Sequence, residues 1–148
     1  MTTVPPRSRR EDAAGAVVID GGGQILLLRR EWYESRRRHQ QVTLPLVHLK
    51  PGEDDADAAL RGVRERSGLD DLQLLADLGA SVVHHLDNEV PYTCREHYFL
   101  VRSWTMVKTA KAPAPWTSEA CSDLDSAASK LEQEEQQAAV LRARAWVT

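Results

Sequence analysis

The chain has 148 residues, of which 42% are hydrophobic and 28% charged, and these proportions predict one globular domain with its own core. Its net charge of −3 leaves no excess of positive charge for dedicated nucleic-acid binding. Two cysteines are too few for a disulfide framework and no apolar run could span a membrane, so a cytoplasmic protein is expected.

The N-terminal part of the chain is predicted to form a tail followed by a β-hairpin. Residues 1–12 are polar, contain two prolines and three arginines, and lack the apolar core of a secretory signal, so a flexible tail is expected. Residues 13–20 and 24–30 are rich in Val, Ile and Leu, which favours two strands. Residues 21–23 are all glycine and permit a tight reversal, so the two strands are predicted to pair.

A polar segment and a third strand are predicted next. Residues 31–41 include the basic run 36–39, which predicts a solvated loop. The alternative is an electropositive lip, in which Arg37 faces an anionic ligand. Residues 42–49 predict a strand that leads to a turn at residues 51–52.

A helix with recognisable ends is predicted after that turn. Asp54, Asp55 and Asp57 place negative charge where the dipole of a helix N-terminus stabilises it. Residues 58–67 continue the helix, and Gly68 is suited to cap its C-terminus.

The second half of the chain predicts further strands, a loop and a long helix. Its first segments are two strands within 72–86 divided near 78–80, a turn at 88–91, a strand at 92–104, and a proline-rich loop at 106–117. Residues 122–146 are predicted as one helix whose apolar stripe is interrupted at 132–137. The middle of this helix is therefore expected to be exposed or to contact a partner.

Residues 44–69 carry the most informative motif. Six residues match a spaced pattern in register: Glu53, Arg61, Val63, Glu65, Gly68 and Leu69. The pattern resembles the Nudix box, which reads Gly, five residues, Glu, seven residues, then Arg-Glu-aliphatic-any-Glu-Glu-any-Gly-aliphatic. Three positions depart from it, namely Val47, Gly62 and Arg66, and at the last two the family has metal-binding glutamates. The chain is therefore identified as a member of the Nudix hydrolase superfamily with a degenerate box.

The resemblance covers roughly residues 13–104 and implies both fold and chemistry. The implied fold is of the α/β class, an α/β/α sandwich with a mixed β-sheet, here a single domain over residues 13–148 that ends in a helix. Members of the family cleave nucleoside diphosphates linked to another group, with a divalent metal, usually Mg²⁺. A homodimer is expected on the same basis.

The metal-binding face of the box is changed in this sequence. In the family, carboxylates at helix positions i, i+3 and i+4 share one face and hold the metal, and here these positions are Gly62, Glu65 and Arg66. At an effective dielectric constant of ~20, two like charges ~4 Å apart repel by on the order of 4 kcal/mol. Binding of Mg²⁺ or Mn²⁺ is therefore expected to be weakened.

Two interpretations of the remaining acidic residues are open. In the first, Glu53 and Glu65 hold a single weakly bound metal, with His48 or a carboxylate from the loops as a further ligand. In the second, Glu53 caps the helix and Glu65 pairs with a nearby arginine. Arg61 matches the family arginine that orients a box glutamate. Because its usual partner is absent at residue 62, Arg61 is expected either to pair with Glu65 or to face a ligand.

The departures themselves predict a phosphate-binding role. Arg66 carries a guanidinium group, which binds phosphate in a bidentate manner, so a metal-free anion site is a physically sensible alternative. Gly62 permits close approach to the helix, although drift in a site no longer under demand explains it equally well. Val47 replaces the family glycine that lets the backbone approach substrate phosphates, and Leu46 replaces another common glycine, so the two narrow or reshape that space. His48 beside them is a candidate substrate-binding residue.

Glu96 is the candidate outside the box. In the family a glutamate from elsewhere can act as general base, and position alone makes Glu96, at the start of a late strand, or Glu89 a candidate. Neither has motif support, and an exposed strand glutamate is the favoured interpretation. His84 and His85 are adjacent on a strand and face opposite sides, which argues against one shared metal ion.

Two functional classes follow. The first is a divergent Nudix hydrolase that acts on a nucleotide, dinucleotide or similar pyrophosphate. The second is a degenerate member that binds a phosphorylated ligand or a partner, or that performs metal-independent chemistry. Weak or absent activity on standard nucleoside triphosphates is expected in either class.

Overall fold

The computed structural model describes residues 9–87 and 89–147. Seven strands and three α-helices follow one another along the chain: β1 Arg9–Ile19, β2 Ile25–Glu34, β3 Arg37–Thr43, β4 Leu46–His48, α1 Asp55–Ser67, β5 Leu72–Asp87, β6 Val90–Ser103, β7 Thr117–Cys121, α2 Leu124–Lys130 and α3 Glu134–Arg142. Two short 3₁₀ turns, Val107–Thr109 and Ala143–Ala145, complete the described elements.

The strands form one mixed sheet in the order β3-β2-β1-β6-β5. The central pair, β1 and β6, is parallel, whereas β1 with β2, β2 with β3 and β5 with β6 are antiparallel. The short strand β4 pairs with β1, and β7 pairs with β2. The predicted α/β class with a mixed sheet is confirmed.

Helices cover both faces of the sheet, because the side chains of β1 alternate between two apolar cores. Ala14, Ala16 and Val18 pack with Ala58, Ala59 and Val63 of α1. Their neighbours Val17 and Ile19 pack with small residues of α2 and α3 on the opposite face. Strand residues with this period of two point alternately to the two faces, which gives the sandwich.

The predicted helix α1 is present with its predicted end. It begins at Asp55, and acidic residues occupy its first turn. Gly68 adopts the left-handed conformation, with φ 79°, and its N–H donates to the carbonyl oxygen of Arg64. A residue without Cβ adopts this conformation at little cost, which explains why the helix stops there.

The strand β1 begins earlier than predicted. It starts at Arg9 rather than at residue 13, and its first residues lie beside Tyr92 and the residues that follow it in parallel register. Backbone pairing with β6 extends the strand through a polar stretch that has no strand-like pattern of its own. Residues 1–8 of the predicted tail, and Asn88 of the predicted turn, lie outside the described residues.

The predicted loop at residues 31–41 is wrong, because this segment is a β-hairpin. Strands β2 and β3 pair from Leu28 with Thr43 outward to Glu34 with Arg37, around a turn at residues 35–36. Cross-strand contacts stabilise it: Glu31 pairs with Arg38, and the rings of Trp32 and His39 stack with centroids 5.4 Å apart. These contacts join residues of opposite strands. They do not require apolar and polar residues to alternate along the sequence, so this hairpin was not predicted.

Three further boundaries differ from the predictions. The strand expected at 42–49 is interrupted at Pro45, whose carbonyl oxygen accepts from the Ala16 N–H. The two strands expected within 72–86 are one strand, β5, with register shifts between Leu74 and Ala76 and between Asp77 and Ala80. The loop expected at 106–117 is followed by β7, which was not predicted because its five residues carry little apolar pattern.

The single helix expected at 122–146 is two helices, α2 and α3. Leu131 has extended backbone, with ψ 143°, and ends α2. The expectation that the middle of this segment is exposed is wrong for Gln136, which is 1% exposed and accepts from the Leu44 N–H at 3.1 Å. Gln136 interrupts the apolar stripe because its buried side chain hydrogen-bonds the backbone directly after β3.

Every helix within residues 9–87 and 89–147 is too short or too polar to cross a lipid bilayer.

Candidate functional site

Arg61 is the centre of the contacts between α1 and the loop that precedes it. Its Nε and Nη2 donate to the two carboxylate oxygens of Glu53 at 2.9 and 3.0 Å. Nη1 donates to Glu65 at 3.0 Å, and Nη2 also donates to the carbonyl oxygen of His48 at 2.8 Å. Arg61 therefore holds the end of β4, the loop and the helix in one arrangement.

Glu53 is held in its ionised form by this arrangement. The hydrogen bonds from Arg61, followed by the Lys50 backbone N–H, lower the pKa of Glu53 from 4.5 to about 2. Its carboxylate bonds the Lys50 N–H rather than an amide of α1, so it does not cap the helix. Glu65 does pair with an arginine, as one of the two sequence interpretations expected.

Val47 and Gly62 contact each other, so two departures from the box pattern form one steric unit. A Cβ atom built on Gly62 would lie 2.9 and 3.0 Å from the two γ-methyl groups of Val47. Val47 is 5% exposed, and it packs in the core that α1 covers. The valine side chain thus fills the space that a side chain at residue 62 would need.

The donor set around α1 does not fit a metal ion held by three box carboxylates. In the described part of the chain, no three His, Cys, Asp or Glu side chains come together in a group that could hold a metal. Residue 62 has no side chain, and the carboxylates of Glu53 and Glu65 both accept hydrogen bonds from Arg61. A metal cation would therefore have to compete with the Arg61 guanidinium group for these two carboxylates.

Arg64 and Arg66 are the two cations of α1 without a hydrogen bond or ion pair among the described residues, and Arg66 is the half-buried one. Its side chain is half-buried, and within residues 9–87 and 89–147 no hydrogen bond or ion pair engages its guanidinium group. It lies on the wall between two cavities, one of about 190 Å³ that Trp116 also lines and one of about 220 Å³ that Glu96 lines. A half-buried cation without a counter-charge is suited to bind an anion.

Glu96 lies in the second of these cavities and is buried rather than exposed. It is 2% exposed, accepts from the Tyr98 hydroxyl at 2.6 Å, and lies 3.5 Å from the Nε2 atom of His85. Cys94 lines the same cavity, and burial raises the pKa of its thiol to about 11, so the thiol stays protonated. The exposed strand position that the sequence favoured for Glu96 is therefore wrong.

The structure brings together most of the residues that the sequence singled out. Val47, His48, Arg66 and Glu96 line one cavity, and His48 also borders a more open cavity that contains Glu53. Arg37 is different: it is exposed beside the turn of the β2–β3 hairpin and lines neither cavity that Arg66 borders.

Sequence reasoning missed two residues of the Glu96 cavity. His85 was considered only as a metal ligand beside His84, and Gln133 was placed in the stretch expected to be exposed. The alternation of β5 gives a signal for His85, because it puts His85 and Val83 on the inner side and His84 on the outer side. No local signal identifies Gln133, because the break between α2 and α3 decides its position.

A second polar cluster lies on the α1 face of the sheet. The ring nitrogens of His97 lie 2.7 Å from Asp55 of α1 and 2.8 Å from Asp77 of β5, and Arg95 donates to Asp55 at 2.8 Å. The hydrogen bond from His97 is the main reason that the pKa values of both aspartates are lowered. This cluster fixes the start of α1 against β5 and β6.

Comparison with known proteins agrees with this fold. A family model described as the NUDIX domain matches residues 9–143. The chain therefore belongs to the Nudix family. A comparison with curated proteins finds no match.

Solved structures of the same fold are similar over nearly the whole chain. A NUDIX hydrolase from Nitrosomonas europaea has a TM-score of 0.69 and 16% identity, over 93% of this chain and 90% of that one. A C. elegans Ap4A hydrolase binary complex has a TM-score of 0.67 and 20% identity, over 93% and 97%. A MutT protein from Methanosarcina mazei has a TM-score of 0.65 and 18% identity, over 97% and 99%. At these identities the likeness shows the fold.

Proposed function

We propose that this chain binds a nucleoside diphosphate-linked molecule, with a phosphate of the ligand held by Arg66. The observation that carries the proposal is the half-buried guanidinium group of Arg66, which borders two cavities and makes no hydrogen bond or ion pair with the described residues. Phosphate accepts two parallel hydrogen bonds from such a group. Phosphate-linked ligands are also the class on which the family acts, and one structural neighbour is an Ap4A hydrolase.

Binding by this route does not require a metal cluster. The positive charge that the family supplies with Mg²⁺ is supplied here by a side chain at the box position Arg66. The carboxylates left to hold a metal, Glu53 and Glu65, are paired with Arg61. We therefore expect ligand binding to persist when divalent cations are removed, and any metal dependence to be weak.

Hydrolysis of the bound ligand is the second candidate function, favoured by Glu96. Its buried carboxylate lies 3.5 Å from His85, in the cavity that Arg66 also lines. A carboxylate in this position is a candidate to accept the proton of an attacking water molecule. Activity on standard nucleoside triphosphates is expected to be weak or absent, because the three-carboxylate arrangement of the box is missing.

The deciding experiment measures binding of ADP by calorimetry in EDTA, for the wild type and for Arg66→Gln. One lost hydrogen-bonded charge contact costs about 1.5–3 kcal/mol, so the variant should bind about tenfold to 100-fold more weakly. Arg64→Gln is the matched control, since Arg64 is exposed on the same helix and lines neither cavity. Binding that needs Mg²⁺, or that survives Arg66→Gln unchanged, contradicts the proposal.

A second arm separates binding from hydrolysis. The wild type and Glu96→Gln are incubated with nucleoside diphosphates, dinucleotides and nucleotide sugars, with Mg²⁺ or Mn²⁺, and the products are separated by chromatography. Turnover that disappears in Glu96→Gln supports the hydrolase. Arg66-dependent binding without any turnover supports binding alone.

A further inference from the structure

Arg30 of β2 is a half-buried cation whose guanidinium group is held in place but only partly used. Its Cζ atom lies 4.7 Å from the ring centroid of Trp32 and 5.0 Å from that of Trp116, so two indole rings fix its position. Its Nε donates to the Gln41 side-chain oxygen at 3.0 Å. The donors on its Nη atoms make no hydrogen bond or ion pair with residues 9–87 and 89–147.

The same guanidinium group borders the smaller of the two cavities beside Arg66, the one that Trp116 lines (the Trp116 cavity). Gln41 and Trp116, which contact the guanidinium group of Arg30, both line this cavity together with Arg30 and Arg66. The described residues around it include no aspartate or glutamate. Two cations beside one small cavity repel each other, and an anion between them removes that repulsion.

Charge decides which of the two cavities beside Arg66 suits a chain of phosphates. The other cavity contains the buried carboxylate of Glu96, which repels an anion. Of the two, Arg30 lines only the Trp116 cavity. Arg30 also borders a more open cavity that includes Glu31, but that carboxylate pairs with Arg38. The Trp116 cavity is therefore the more favourable place for negative charge.

The size and the uncharged donors of the Trp116 cavity fit a compact anion. Its volume of about 190 Å³ is room for about six water molecules at ≈ 30 Å³ each, below the roughly 300–1,000 Å³ of sites that enclose whole ligands. The cavity therefore takes a small group such as a diphosphate and leaves the rest of the ligand outside. Because the Gln41 oxygen accepts from Arg30, the amide nitrogen of Gln41 is left to donate to a phosphate oxygen.

We infer that Arg30 is a phosphate-binding residue outside the box, which holds the second phosphate of a diphosphate whose first phosphate is bound by Arg66. The inference rests on the proposed function, because Arg66 must hold the first phosphate. Each guanidinium group offers planar paired donors that suit one phosphate. Arg30 is already fixed by its contacts with Gln41 and the two indole rings, so it loses little side-chain freedom on binding. The site therefore prefers a diphosphate to a single phosphate.

The first test compares two probes that differ by one phosphate. Inorganic pyrophosphate and inorganic phosphate are titrated calorimetrically, in EDTA, into the wild type, Arg30→Gln and Arg66→Gln. Arg30→Gln should weaken binding of pyrophosphate about tenfold to 100-fold and leave inorganic phosphate nearly unchanged, whereas Arg66→Gln should weaken both. Arg64→Gln removes the same charge from an exposed residue that lines neither cavity, and it should change neither affinity.

The second test separates the charge of Arg30 from its packing. Arg30→Lys keeps the positive charge and loses the planar donors, so it should recover part of the pyrophosphate affinity that Arg30→Gln loses. If Arg30 acts only by packing on Trp32 and Trp116, the lysine should be no better than the glutamine, and that result overturns the inference. Where Arg30→Gln does not fold, Arg30→Lys should narrow the preference for pyrophosphate over phosphate, and an unchanged preference overturns the inference.

The two proposals fail in different ways. Equal weakening of both probes by Arg30→Gln, or unchanged binding of pyrophosphate, overturns the role of Arg30, while Arg66-dependent binding upholds the proposed function. Absence of Arg66-dependent binding for both probes overturns the proposed function, and the inference with it.

Discussion

At the scale of single residues, the contact between Val47 and Gly62 shows that two departures from the box pattern are linked. In the sequence, a bulky residue at one position and a glycine 15 places later look like two independent departures. In the fold each explains the other, because the γ-methyl groups of Val47 occupy the space beside the Gly62 Cα. A β-branched side chain has little rotamer freedom, so Val47 cannot move aside easily.

The contact predicts strong coupling between substitutions at the two positions. Gly62→Ala should destabilise the wild type by about 1 kcal/mol, because ~1–3 kcal/mol of overpacking exceeds the ~1 kcal/mol gained in helix propensity. In a Val47→Ala background the same change should stabilise the protein by about 1 kcal/mol, because the overlap is gone. Urea unfolding of the four proteins gives the coupling energy.

The reference for this cycle is Arg64→Gly, made in both backgrounds, since Arg64 is exposed on the same helix whereas Val47 is buried. Its effect should be the same in each background, within the few tenths of a kcal/mol that distant sites show. Equal effects of Gly62→Ala in the two backgrounds would mean that the two positions are independent.

At the scale of elements, Arg61 joins α1 to the end of β4 through the loop between them. It contacts Glu65 and the His48 carbonyl oxygen, and its two hydrogen bonds to Glu53 are strongest when that carboxyl group is ionised. The arginine lowers the pKa of Glu53 to about 2, and in an unfolded chain that pKa returns towards 4.5. The contribution of the Arg61–Glu53 pair to stability therefore depends on pH.

This linkage predicts how the stability of the protein changes in acid. The pKa of Glu53 is lower in the folded state, so its contribution to stability is complete above pH 4.5 and is lost as the pH falls towards 2. Arg61→Met should remove that contribution. The difference in unfolding free energy between the wild type and Arg61→Met should therefore shrink across this interval, as measured by urea unfolding at a series of pH values.

Other lowered carboxyl pKa values do not obscure the comparison. Asp55 and Asp77 also lose stabilising contacts in acid. The wild type and Arg61→Met share these contacts, so their effect cancels in the difference between the two unfolding free energies. Arg64→Met on the exposed side of α1 should show a constant difference from the wild type at every pH. A constant difference for Arg61→Met as well would exclude the coupling to Glu53.

The elements also show what the sequence determines and what it leaves open. Helix α1 was predictable because its acidic first turn, its apolar face and Gly68 are local signals that agree. The β2–β3 hairpin was not, because cross-strand pairs such as Trp32 with His39 are spaced irregularly along the chain. The division of the C-terminal segment at Leu131 depends on tertiary contacts that no helix pattern reveals.

The residues of the candidate site also fall into those that a local motif predicts and those that depend on the tertiary fold. The box spacing located Glu53, Arg61 and Glu65, because a motif within one loop and helix is local. The Glu96 cavity combines side chains from distant parts of the chain, so its composition follows from the sheet order rather than from any spacing. The burial of Glu96 in particular depends on Tyr98 and on α3 packing over the same strand.

At the scale of the whole molecule, the sheet separates two cores that must form together. Strand β1 contributes to both, with alternate residues packed against α1 and against the α2–α3 pair. Loss of either helical layer would expose one full face of β1 and β6. The chain is therefore expected to unfold as a single cooperative unit, as small single domains usually do.

Gln136 tests this cooperativity, because it connects α3 to a part of the chain 92 residues away in sequence. Its side-chain oxygen accepts from the Leu44 N–H at 3.1 Å, and its amide nitrogen donates to the Thr43 hydroxyl at 2.9 Å. Gln136→Leu should destabilise the protein by about 1–3 kcal/mol, because it leaves the buried Leu44 N–H without a partner. Gln137→Leu, which loses one bond within its own segment, is the control and should cost less.

Far-UV circular dichroism and tryptophan fluorescence should report the same lowered midpoint for Gln136→Leu. Separate midpoints for the two signals would show that α2 and α3 leave the sheet before it unfolds, and would contradict a single cooperative unit.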